Sequence, residues 1–132
     1  MAEKSELSLA ERIEAIEQAY EFMLAYAAQG REDEGGGSVR QFLERAAAAL
    51  AGLAAAAATN PHARNATSHE ALAAFLEVLE DDARKAGAAL QLVLAQKSIS
   101  SQLVDNLNAS IHLRALLTDV FLIDEALKRS ES

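Results

Sequence analysis

The apolar positions of this 132-residue chain fall into four stretches that repeat at about 3.6 residues per turn, and none alternates with the period of two that a strand requires. In the first, Leu9, Ile13, Ile16, Tyr20, Met23 and Ala27 recur in strict four-three alternation, a seam like that of a coiled coil. Ser8 before it and Glu11 three residues on form a capping-box pair, Glu14, Glu17 and Glu21 lie off the seam, and Gly30 supplies a stop. Phe22, Leu24 and Tyr26 widen the apolar arc near its end. The second stretch has Ser38 as its natural cap, buries Val39, Phe42, Leu43, Ala46, Leu50, Leu53 and Ala57, and stops at Thr59-Asn60-Pro61. The residue before a proline is pushed out of the α region. The third, capped by Thr67 or Ser68, carries Leu72, Phe75, Leu76, Leu79, Ala83, Ala86, Leu90, Val93 and Leu94. Its register passes through Gly87 without a slip, so one long helix is expected, with a local weakness of about 1 kcal/mol at the glycine.

The fourth stretch, capped by Ser100 or Ser101, is the most continuously apolar. Leu113, Leu116, Val120, Ile123 and Leu127 form its seam, and Leu117, Phe121 and Leu122 extend the apolar surface sideways beyond what one core contact covers. The spacing predicts helices near 9–29, 39–58, 69–96 and 102–128, hence an all-α, antiparallel four-helix bundle over 1–132 as a single domain. Residues 1–7 are expected as a flexible N-terminus, and 31–38, with Gly35-Gly36-Gly37, as a mobile loop. Leu117, Phe121 and Leu122 are the expected interface of a homodimer. A membrane span is excluded for the fourth stretch by His112, Arg114, Asp119 and Asp124, each costly near a bilayer centre.

Charge changes the picture at one end. Net charge is −8, and through Glu34 nine acidic residues stand against three basic ones. Nucleic acid is therefore not an expected partner, because binding it relies on clustered Lys and Arg. Arg84-Lys85 and Lys128-Arg129 read as solvated helix surface. With no cysteine, disulfides, thiol nucleophiles and Cys-ligated zinc drop out. The start Met-Ala-Glu-Lys-Ser-Glu lacks the apolar core of a signal peptide, so the expected location is the cytoplasm. Ala46 to Ala49 and Ala54 to Ala58 favour helix and let a neighbouring backbone approach closely.

Candidate chemistry rests on few residues. The three glycines have no Gly-Lys-Ser/Thr after them, and Glu32-Asp33-Glu34 beside them would repel a phosphate. No Glu-x-x-His repeats on two helices, so no metal and no cofactor are expected. Glu80-Asp81-Asp82 reads as solvent-facing, and His62 as exposed in a polar loop. Ser68-His69-Glu70, opening a helix, resembles the phosphoacceptor helix of sensor histidine kinases over those three residues, which implies phosphotransfer through His69. The family's Arg-Thr-Pro after the His-Glu pair is replaced by Ala71-Leu72-Ala73. His112, followed by Leu113-Arg114-Ala115, resembles only in part the His-x-Leu-Lys-Gly pattern of histidine phosphotransfer domains, and an interior or interfacial, hydrogen-bonded histidine is the expectation there. Asn106, Asn108, His112 and Arg114 make the first half of the fourth helix polar, either as a layer fixing register or as a small-ligand pocket. Taken together, the residues point to a non-enzymatic protein–protein interaction module, an adaptor, assembly factor or chaperone. Phosphotransfer through His69 and a ligand-sensing bundle are the alternatives.

Overall fold

The computed structural model describes residues 7–35, 37–61, 63 and 69–129, and every regular element among them is helical. In order these are α1 (Leu9–Ala27), α2 (Val39–Leu50), α3 (Leu53–Thr59), α4 (His69–Leu94), α5 (Ser101–Ala109) and α6 (Ile111–Arg129). α1 opens with the expected capping box: Ser8 Oγ accepts the Glu11 N–H, and Glu11 Oε1 accepts the Ser8 N–H at 2.9 Å. α4 runs unbroken through Gly87, where an added Cβ would meet nothing within 4 Å. No single helix among the described residues is long and apolar enough to cross a membrane.

The expected second and fourth helices are each broken in two. Between α2 and α3 the chain bends by 51° at Ala51-Gly52, with Gly52 at φ +85°. The cause lies in α1, because Arg12 reaches across and donates from Nη1 to the carbonyls of Ala48, Ala49 and Ala51. A helix end leaves carbonyls without partners, and a run of alanines cannot supply any. Ser38 stands at the head of α2 but makes no side-chain cap, contrary to expectation. Between α5 and α6 the break is Ser110, at φ −60° and ψ 131°. Its N–H donates to the Leu107 carbonyl, ending α5, while its carbonyl accepts the Arg114 N–H and its Oγ the His112 N–H, starting α6.

α1 lies against α2 and α5, and α4 against α6, α3 and α2. Ile16 and Met23 of α1, Ala46 and Leu50 of α2, Leu90 of α4, and Leu113 and Leu116 of α6 converge on one small central void. Phe22 and Phe42 stack across α1 and α2 with ring centroids 4.5 Å apart.

The stretch 31–38, expected as a mobile loop, is held by specific bonds on both sides of Gly36, which lies outside the described residues. Glu34 is only 8% exposed. Its Oε1 accepts the Ile99 N–H at 2.7 Å and its Oε2 accepts Arg40 Nε at 2.9 Å. Arg40 also donates to the carbonyls of Leu94 and Gln96, closing the C-terminus of α4. Beside it Arg31 and Ser101 exchange bonds: the Arg31 N–H donates to Ser101 Oγ, and the Ser101 N–H to the Arg31 carbonyl. The Ser101 hydroxyl donates to the Tyr26 carbonyl, and the Tyr26 hydroxyl to the Ile99 carbonyl, both at 2.6 Å. On the described residues flanking Gly36, the Glu34 carboxylate is held by Ile99 and Arg40, and the Gly37 N–H donates to the Glu34 carbonyl.

The Ile99 N–H, followed by Arg40, holds the Glu34 carboxyl below the usual carboxylate range despite its burial. A depressed pKa contributes stability that is present above the unfolded value of about 4.3 and is lost as pH falls through the folded one. Glu34→Gln should therefore cost about 2 kcal/mol at pH 7 in urea denaturation, the scale of a charged hydrogen bond. The gap to the wild type should narrow in the same measurement near pH 3; an equal loss at both pH values would remove the carboxylate's charge as the cause.

Candidate functional site

The break at Ser110 divides the residues of the expected polar pocket between two helices. Asn106 and Asn108 belong to α5, His112 and Arg114 to α6, so the four do not share one helix face. Asn106, His112 and Arg114 are exposed; Asn108 is half-buried. Asn106 Oδ1 accepts Gln102 Nε2 at 3.2 Å, whereas Asn108 Oδ1 is buried without a hydrogen-bond partner. His112, expected inside or at an interface, is not in the interior: it is exposed on the single chain, in the first turn of α6 after the Ser110 break. His69 is the exposed first residue of α4, next to exposed Glu70. His62 lies outside the described residues. Among the described residues no three His, Asp or Glu side chains are grouped to hold a metal ion.

The apolar surface of α6 divides differently from the expected interface. Leu117 is 6% exposed and belongs to the core, lining the central void beside Leu113 and Leu116. Phe121 and Leu122 remain 50% and 58% exposed. As neighbours on a helix they project about 100° apart, so they serve two different surfaces. Leu122 turns towards α4, where with Ile123 and Ala126 it faces Ala71, Leu72 and Phe75 across an apolar groove. Phe121 points away from that groove.

One pair of groups in the α4–α6 contact escaped the sequence reading. Asp119 is 7% exposed, and its side chain meets that of Asp82 across the two helices. Asp82, expected in solvent with its neighbours, is half-buried; Glu80 is exposed, and Asp81 pairs with Arg84 and with Lys85 Nζ at 3.1 Å. Lys85, then Arg84, draws the Asp81 carboxyl below its ordinary pKa. Among the described residues no cation pairs with Asp119 in this way. Burial first, then the hydrogen bond and charge of Asp82, push its carboxyl up to about 7, and Asp119 Oδ2 has no hydrogen-bond partner. A carboxyl buried beside a second acid is harder to ionise, so Asp119 holds its proton into the neutral range. The available signal was Asp119 itself, a carboxylate two positions before the Phe121-Leu122-Ile123 run, three residues after Leu116 and one before Val120.

The sign of the linkage follows from the raised pKa. The unfolded carboxyl gives up its proton near pH 3.9 and the folded Asp119 only at about 7, so stability is full below the lower value and falls as pH rises to the upper one. Asp119→Asn keeps the shape and removes the charge. Thermal or urea unfolding should place the variant roughly 2–4 kcal/mol above the wild type at pH 8 and close to it at pH 4. A wild-type stability that is flat between pH 4 and 8 would rule out the shared proton. Against known proteins, no family model, no curated protein and no solved structure matches the chain.

Proposed function

We propose that the chain is a non-enzymatic protein–protein interaction module, an adaptor, assembly factor or chaperone that presents apolar helix surface to another protein. In this reading α1, α2–α3, α4 and α5–α6 act as the four rods of an antiparallel bundle, two of them bent, in a reducing cytoplasm that a chain without cysteine suits. The observation that carries it is the exposure of Phe121 and Leu122 on a helix whose opposite face is already core. Large apolar side chains gain on the order of 1.5–3 kcal/mol each from full burial, which favours covering them by a partner. A second copy of the chain is the simplest partner for the Phe121 edge.

Phe121→Glu tests the reading because Phe121 needs no repacking of the core. Light scattering at high micromolar concentration should give a dimer for the wild type and a folded monomer for the variant, with its helical circular dichroism retained. A monomeric wild type would remove self-association, and an unfolded variant would make Phe121 a core residue.

A further inference from the structure

Among the described residues, four of the six large exposed apolar side chains border a single seam. On α4, Phe75, Val78, Asp82, Ala89 and Leu92 follow at helical steps of three, four or seven; on α6, Ile111, Ala115, Asp119, Leu122 and Ala126 do the same. The two stripes run in opposite directions side by side. Phe75 faces Leu122 and Ala126 across the groove, and Asp82 meets Asp119 further along. Continuing that register brings Leu92 and Ile111 to within about one turn of each other at the far end. Val78, Leu92, Ile111 and Leu122 are all exposed.

The seam is thus apolar at both ends with a carboxyl pair between, and one of its oxygens, Asp119 Oδ2, is buried and unpaired. Lys85 shares the α4 stripe but is engaged with Asp81 at 3.1 Å. An acidic pair short of a partner selects the occupant. A second copy laid seam to seam would bring its own Asp82 and Asp119 onto the same pair and add like charge. A cation carried between two apolar anchors would neutralise it, releasing the shared proton to solvent.

We propose, on the basis of the interaction-module reading, that the outer seam between α4 and α6 docks an amphipathic helix of a partner protein that sets one Lys or Arg on Asp82, the carboxyl of the pair that reaches solvent. Its apolar anchors rest on Phe75, Val78 and Leu122 at one end and on Leu92 and Ile111 at the other. Val78 to Leu92 spans about 21 Å, so the partner helix runs about four turns. Its cation lies about one turn from the first anchor and two to three turns from the second. The net charge of −8 steers such a basic helix towards the chain.

The probe is a displayed library of twenty-residue helical peptides, with apolar anchors fixed at that spacing and the intervening positions randomised, selected against the full-length wild-type protein. Enriched peptides should carry Lys or Arg at the position facing Asp82. A synthetic copy should bind about tenfold or more weakly to Asp82→Asn and to Val78→Glu, and equally well to Phe121→Glu. Calorimetry in buffers of different ionisation heat should detect proton release on binding at pH 6. No enrichment, enrichment without a cation, or binding that survives Val78→Glu would overturn the proposal. Peptides that bind at the Phe121 edge would overturn it while leaving the interaction module standing. A wild-type dimer turned monomeric by Val78→Glu would assign the seam to a second copy instead.

Discussion

The fold depends on one carboxylate. Glu34 sits in the connection between α1 and α2, yet it bonds the backbone of the connection between α4 and α5 through Ile99 and the head of α2 through Arg40. Arg40 then closes the C-terminal carbonyls of α4, and Tyr26 and Ser101 tie the end of α1 to the same loop. Buried loop backbone must find partners, and here one connection supplies them for the other. Tyr26 keeps its hydroxyl protonated on the Ile99 carbonyl, its pKa raised by burial. This clasp ties the C-terminal ends of α1 and α4 to the head of α2.

At the other end of α1 the same problem has a different solution. The alanine runs of α2 and α3 bring backbones close but offer no polar side chain to end a helix, so Arg12 crosses from α1 to do it. The guanidinium lies against Gly52, where an added Cβ would come within 3.4 Å of Arg12 Nη2. Gly52 thus accommodates both the left-handed turn and the close approach of the arginine. Two arginines, Arg12 and Arg40, donate to the C-terminal carbonyls of α2 and α4, and Gln96 adds its own amide on the Leu92 carbonyl.

Periodicity made the elements legible and side-chain reach made the breaks illegible. The seams of α1 and α4 were readable because steps of three or four residues kept returning an apolar one, and Gly87 did not disturb them. The bend at Gly52 and the interruption at Ser110 lie inside unbroken apolar patterns, and each depends on a local or distant hydrogen bond that the spacing of apolar residues does not encode. Glu34 looked like one more member of an acidic run, since its partners are 6 and 65 positions away. The polar group in the fourth stretch was noticed in sequence but split by Ser110 in space. Leu117 and Phe121, one turn apart on α6, were read as one surface; the first is in the core and the second outside it.

Asp82 and Asp119 run against the logic that governs the rest of the chain. Elsewhere a buried charge is matched: Glu34 by Arg40 and a backbone N–H, the α2 and α4 carbonyls by guanidinium groups. At the α4–α6 contact two acids are matched only by a shared proton, in a chain that already carries net charge −8. An asparagine at either position would keep the hydrogen bond without the conflict. Burying an acid beside an acid lowers stability at neutral pH, so the folded chain gains nothing from it. Departures from local consistency of this kind concentrate at sites that act on something else. The pair lies between the apolar ends of an uncovered seam, where an arriving cation would turn that conflict into an attraction.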